Sequence, residues 1–595
     1  MLSGRARLGL GTLLALSAAG LAAHSFGAVA RELETPRSLR ATEYVGSNAC
    51  RSCHPDHSAS FRRTFHRTMT QEAGPHSVLG DFDSGQQLDY FGVRARMSRG
   101  DDGEFLMSFS AGTERWQARV ERSVGSHRYQ QYLARDRDVF FRLPVAWDIA
   151  ERRFIHMNGA FLTPDPELPA DGISISRADY DRHVTRWNDN CVFCHNVHPN
   201  PGLDLATGRF STQVAELGIA CEACHGPAGE HVARNWNPLR RYTLQVGDRP
   251  DPSIRNPARM SGARSAEVCG RCHGQRLSSN IDEVLREGDT FVPGEPLAHW
   301  SKPLWQDTTQ NGEAGLFAAR FWADGTARLT AYEFQGYLQS PCTEQASFSC
   351  ESCHAMHQGD PRGQIHPERG GDKACTQCHA ELAQPTALRA HSHHDPAGAG
   401  ARCQACHMPE IVYGLVGVHL SHRIESPDPA RAARELRPDA CTLCHVERSR
   451  GWAVQASSPW YGAPEQAGVE PEPPEATRML FAGDPIERAI AAHALGKPTA
   501  QLSATAQPRV LGMLLDVLEL DAYPAVRRIA ERSLRARLPA EQLPLLAAYS
   551  ATLPQAARSQ ALGPLRAALP PGALDHPGAQ LRAGLRPEDA IEIGE

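Results

Sequence analysis

The chain has 595 residues, 41% of them hydrophobic, which gives length for more than one domain and apolar material for a globular core. The formal charge is −6, and lysine occurs only at Lys302, Lys373 and Lys497. The arginines are dispersed, so no basic block exists and the electrostatic footprint of a nucleic-acid binder is excluded.

At the N-terminus, Arg5 and Arg7 precede an apolar run from Leu8 to Ala23, and Ala28-Val29-Ala30 places small residues where a signal peptidase reads them. This order predicts a signal peptide over 1–30, cleaved after Ala30. The alternative is an uncleaved membrane anchor, because the run approaches the ~17 residues of a spanning helix. No later segment is apolar enough over that length. The chain is therefore expected in the periplasm or another extracytoplasmic space, with membrane contact only through its start.

CRSCH, with Cys50, Cys53 and His54, is the first of eight copies of one pattern: two cysteines, two residues apart, followed at once by histidine. The others are CVFCH (Cys191, Cys194, His195), CEACH (Cys221, Cys224, His225), CGRCH (Cys269, Cys272, His273) and CESCH (Cys350, Cys353, His354). CTQCH (Cys375, Cys378, His379), CQACH (Cys403, Cys406, His407) and CTLCH (Cys441, Cys444, His445) complete the set. They use sixteen of the seventeen cysteines and leave Cys342, read as a free or buried thiol.

Structural zinc joins two CxxC pairs but has no use for a histidine after every second cysteine. A disulfide framework sets no rule for that residue either, and a thioredoxin-like CxxC occurs once in a βαβ setting. In c-type haem attachment both thiols bond the porphyrin edge while the adjacent imidazole reaches the iron, so every position of the pattern has a task. Eight covalently attached haems c are expected, and their propionates make the holoprotein more acidic than its sequence.

After the first motif, EFLMSFS, RWQARV and DVFFRLPVAW alternate or cluster apolar residues as strands do, predicting a small β-rich insert at roughly 88–165. Motifs two to four fall within 191–273, and a second gap carries ADGT as a turn between short strands. Motifs five to eight start only 25 to 38 residues apart, too little chain per porphyrin for an ordinary core. The fold class read from this is mainly α with much irregular structure packed around haems, plus the β-rich insert. The haem domain spans 31–460.

A Pro/Gly/Glu-rich linker at 461–480 leads to an α-helical region at 481–595. DPIERAIAAHALG has Asp484 as N-cap, Pro485 at the first helical position and an end at Gly496. YPAVRRIAERSLRARL puts Val526, Ile529, Ala530 and Leu534 on one face. Stacked pairs of this kind resemble HEAT-type repeats, with a plain helical bundle as the alternative.

Of 27 histidines, eight belong to motifs, His24 to the leader, and His493 and His576 to the helical tail. The remaining sixteen exceed the eight positions opposite the motif histidines, while Met356 and Met408 sit too near their own motifs to cross a ring. A mostly bis-histidine set predicts low potentials, since methionine ligation raises them.

The series YVGSNACRSCHPDHSASFRRTFHRTMT, GIACEACHGPAGEHV, AEVCGRCHGQR, CESCHAMH, HSHHDPAGAGARCQACHMP and LSHRIESPDP…PDACTLCH resembles multihaem cytochromes c related to the tetrahaem electron acceptor of hydroxylamine oxidoreductase. It is most similar to the longer members, which end in TPR- or HEAT-type helices. The resemblance covers about 45–460. It implies distal ligands at His66, His231, His357, His391 or His394, and His422, and less directly at His127, His183, His198 and His299. HSHH cannot give three ligands to one iron.

The function these features imply is electron transport through a haem chain between redox partner proteins, with the helical tail as a candidate docking scaffold. The alternative is a reductase or oxidase of a small nitrogen or sulfur species at one haem with an open distal side. Arg276 and Tyr337 are polar groups placed to line such a site. Against it stand the absence of a CxxCK motif and the histidine surplus, so no catalytic residue is assigned.

Overall fold

The computed structural model describes residues 17, 19–21, 24–34, 38–40, 42–165, 185–329, 331–361, 363–413, 417–461 and 473–584. Much of the predicted leader, most of the linker and His183 lie outside them. Among the described residues no helix is long and apolar enough to cross a membrane. The architecture is helical and irregular, with small antiparallel sheets between the motif-bearing segments.

Two sheets form one β-rich body. The first joins β2 (Gln87–Tyr90), β3 (Val93–Arg99), β4 (Phe105–Ala111) and β5 (Glu114–Arg119) in sequence order. The second is built from β1 (Thr70–Glu72), β6 (Arg122–Val124), β7 (Tyr129–Asp136), β9 (Val145–Asp148) and β10 (Arg153–His156), with β8 (Val139–Arg142) also on β7.

The period-2 pattern explains the register: Val93, Ala95 and Met97 are buried and pair with Ala111, Phe109 and Met107 across β3 and β4. These side chains share a core with Phe82, Tyr132, Trp147 and Phe154, closing one face of each sheet against water. In the second gap ADGT makes a turn closed by a single bridge, Phe321 to Ala327, with Gly325 at φ 77°.

The motifs are single helical turns. The amide of the histidine donates to the carbonyl of the first cysteine at 2.9 Å in CRSCH and CGRCH, 3.0 Å in CESCH and CTQCH, and 2.8 Å in CTLCH. Residues i, i+3 and i+4 therefore share a face, which presents both thiols and the imidazole to one side. After His225, Gly226 at φ 78° ends the turn at once and lets the chain leave.

The C-terminal helices are Glu475–Ala482, Pro485–Gly496, Gln507–Leu520, Pro524–Arg537 and Gln555–Ala568. Asp484 caps the second of these, accepting from Ile486 and Glu487 amides while Glu487 accepts from the Asp484 amide. Their apolar faces do not form a separate core. Leu480, Ile490, Leu514 and Ile529 belong to the same buried cluster as Ile155, Phe161, Leu304, Val412 and Leu443 of the motif-bearing body.

Charged pairs sew the same seam. Arg527, wholly buried, binds Asp165 through both terminal nitrogens at 2.8 and 2.7 Å. Arg532 reaches Asp148 at 2.7 Å, Arg528 reaches Glu151 at 3.0 Å, and Lys497 reaches Glu410 at 2.9 Å. The tail is thus an integral wall of the molecule.

Candidate functional site

The chemistry of the donor set can be tested on the spacing of imidazoles. Two imidazoles binding one iron from opposite sides have ring centroids about 6 Å apart, because each metal–nitrogen bond is about 2 Å and each ring centre lies about 1 Å beyond its nitrogen.

Six motif histidines meet a second histidine at this spacing. His54 faces His231 at 6.3 Å, His66 faces His273 at 5.9 Å, and His225 faces His357 at 6.2 Å. His354 faces His422 at 6.3 Å, His407 faces His391 at 5.9 Å, and His445 faces His394 at 6.1 Å. His195 and His379 are not among these pairs. The partner is never the histidine nearest in sequence to its own motif: His66 follows the first motif and faces the fourth, and His357 follows the fifth and faces the third.

HSHH divides its work. His391 and His394 go to different motifs, and His393 stacks flat on Trp460 at 4.3 Å. His57 lies 6.1 Å from His54 as well, but it is also stacked on His357 at 4.4 Å. The side chain of His127 stacks on Phe65 and that of His198 on Tyr44, and His299 is exposed at the end of a short turn.

A metal-binding imidazole needs its other nitrogen held, which fixes the tautomer and the ring. His225 Nδ1 is bonded to the Arg255 carbonyl at 2.6 Å, His354 Nδ1 to Gly363 at 2.9 Å, and His407 Nδ1 to Glu425 at 2.8 Å. His394 Nδ1 bonds the Ser392 carbonyl at 2.6 Å and His422 Nδ1 that of Leu420 at 3.2 Å. The side-chain oxygen of Gln364 takes His66 Nδ1, and Asp251 takes His231 Nδ1 at 3.1 Å. In all seven the Nε2 is left for the opposed side.

Burial pushes His66, His357 and His422 down to about 4, with neighbouring imidazoles adding to it at each and the Glu333 carboxylate opposing it at His422. They are neutral at physiological pH, the form that binds a metal. Burial works to raise the Asp251 carboxyl, but hydrogen bonds from Arg240, His231 and Ser253 outweigh it and hold the group far below the usual carboxylate range.

The thiols link one motif to another. Cys50 lies beside Cys221, Cys194 beside Cys272, Cys269 beside Cys350, and Cys375 beside Cys403. Cys224 is within electrostatic reach of Cys272, Cys353 of Cys375, and Cys406 of Cys444. Taken by neighbours, the motifs run first, third, fourth, fifth, sixth, seventh, eighth, with the second beside the fourth. Cys342 is near Cys353 and Cys375.

The two groups proposed to line a substrate pocket have other partners. Tyr337 donates its hydroxyl to the Phe348 carbonyl at 3.0 Å, and Arg276 donates to Ser301 Oγ at 2.6 Å and to the Arg271 carbonyl. The sequence reading missed Asp251 and Gln364, which no motif spacing marks.

No family model matches the chain. It is similar to the multihaem cytochrome MtrA of Shewanella baltica (strain OS185), 24% identical over 204 residues, covering 33% of this chain and 54% of that protein. The chain therefore spans about half the length of that curated relative.

Among solved structures, the outer cell wall cytochrome OcwA aligns over 88% of this chain and 100% of its own, at 16% identity and TM-score 0.45. An undecahaem cytochrome from the S-layer of Carboxydothermus ferrireducens aligns over 91% and 71%, at 14% identity and TM-score 0.33. The motif series, the opposed imidazoles and the curated relative together support a multihaem cytochrome c.

Proposed function

We propose that the chain is an exported octahaem c-type cytochrome that conducts electrons between redox partners outside the cytoplasm. The observation that carries the reading is the set of six opposed imidazole pairs, most of them joining well-separated parts of the chain. The sixteen motif cysteines would hold the porphyrins covalently, and the paired histidines would hold the irons from both sides. A bound haem supplies a one-electron couple at its iron.

What the protein supplies is placement. Neighbouring cysteines of different motifs would hold their attached groups close to one another, and electron-transfer rates fall steeply with separation. At the six paired motifs, histidines on both sides of an iron would exclude substrate from it, which favours conduction over catalysis. The kinship with relatives of the tetrahaem acceptor of hydroxylamine oxidoreductase, a leader over 1–30, domain limits at 460 and 481, and a HEAT-like tail belong to the same proposal.

Intact mass and low-temperature EPR with magnetic circular dichroism test it. Eight attached haems, with the six paired centres low-spin and none moved by nitrite, hydroxylamine or cyanide, are the expected result. A high-spin haem that shifts on adding nitrite would transfer the protein to the reductase class. Fewer than eight haems would break the motif reading itself.

A further inference from the structure

Resting on the reading of the motifs as haem sites, we propose that Asp251 is a positioning residue that raises the basicity of His231 and lowers the potential of the haem of the first motif.

Asp251 stands apart from the other groups that hold ligand Nδ1 atoms. Five of them are backbone carbonyls, of Arg255, Gly363, Glu425, Ser392 and Leu420, and one is the Gln364 amide oxygen. Asp251 alone brings a carboxylate, with Oδ2 3.1 Å from His231 Nδ1. A charged acceptor draws the Nδ1 proton more strongly than a neutral one and makes Nε2 a stronger donor. A stronger donor favours ferric over ferrous iron and lowers the potential.

The carboxylate is rigidly held. Arg240, 1% exposed, donates to Oδ2 at 2.7 Å and to Oδ1 at 2.6 Å. Asn235 donates to Oδ2 at 2.9 Å, and Ser253 donates to Oδ1 through Oγ at 2.6 Å and its amide at 2.9 Å. Asn235 Nδ2 and Ser253 Oγ also lie near His231 Nδ1, at 3.0 and 3.4 Å. With Nε2 committed to a metal, Nδ1 carries the proton, and of these groups the carboxylate accepts it most strongly. Glu32 accepts from Arg240 Nε at 3.1 Å and leaves that guanidinium less able to neutralise Asp251.

The sign can be tested in both directions on the full-length haem-loaded protein by redox titration followed by EPR. Asp251→Asn should move one haem's midpoint upward and leave the other seven in place. Arg240→Gln frees the carboxylate and should move the same haem downward. No movement in either variant, or the opposite signs, overturns the proposal. So does loss of haem in both, because the role assigned is tuning and not assembly. His231→Ala separates this from the underlying reading: if every haem stays low-spin in that variant, His231 is not a ligand, whatever Asp251 does.

Discussion

His225 of the third motif and His357, which follows the fifth, face each other with ring centroids 6.2 Å apart. A segment next to one motif therefore completes the site of another. His357→Ala is predicted to leave eight haems attached and turn one, that of the third motif, high-spin. His422→Ala should do the same at the fifth motif, so the double variant shows two high-spin centres. An unchanged EPR spectrum in the single variants would refute the pairing.

The HSHH stretch makes a sharper case. His391 faces the seventh motif and His394 the eighth, while His393 lies on Trp460. His391→Ala and His394→Ala should each yield one high-spin haem, additively, and His393→Ala should yield none. Spin counting by EPR decides it, and a high-spin centre in the His393 variant would reassign the ligands.

Arg527 and Asp165 fix the helical tail to the rest of the molecule. Arg527 is fully buried and also donates to the Ala551 and Asp521 carbonyls, so Arg527→Ala removes those bonds, leaves Asp165 only the longer contact to Arg558, and should cost about 2–3 kcal/mol. Arg249→Ala, which removes a pair exposed on both sides with Glu34, should cost at most about 0.5 kcal/mol. Denaturant unfolding of the two variants measures the contrast. Equal losses would mean that the seam carries no special weight.

The same seam is acid-sensitive. Burial works to raise the Glu151 carboxyl, but Arg528, Arg532 and Arg153 outweigh it and hold the group at about 2, against 4.5 for a free side chain. A depressed carboxylate contributes stability that is complete above its unfolded value and is lost as pH falls through the folded one. Tail attachment should weaken between about pH 4.5 and 2, and Glu151→Gln should flatten that slope. Hydrogen exchange at Pro524–Arg537 across this window gives the readout, and an unchanged slope in the variant would remove Glu151 as the cause.

Deleting 475–595 is not a clean test of partner docking, because Leu480, Ile490 and Leu514 share their core with Leu304 and Val412. Removing the tail would expose that core. A docking role is better probed by charge changes on exposed tail positions such as Glu541.

What the sequence alone determined was everything that fits within one turn of chain. Two thiols and an imidazole at i, i+3 and i+4 are a local arrangement, and the backbone bond from the histidine amide to the first cysteine carbonyl closes it in place. The Asp484 cap and the alternation of Val93, Ala95 and Met97 are local in the same sense. Only the tertiary structure decided which histidine faces which motif, that Asp251 backs His231, and that the tail is a wall of the body. Most of those join segments well separated in the chain, as His66 with His273 and Arg527 with Asp165. Such contacts depend on how the whole molecule packs, and no spacing within one segment encodes them.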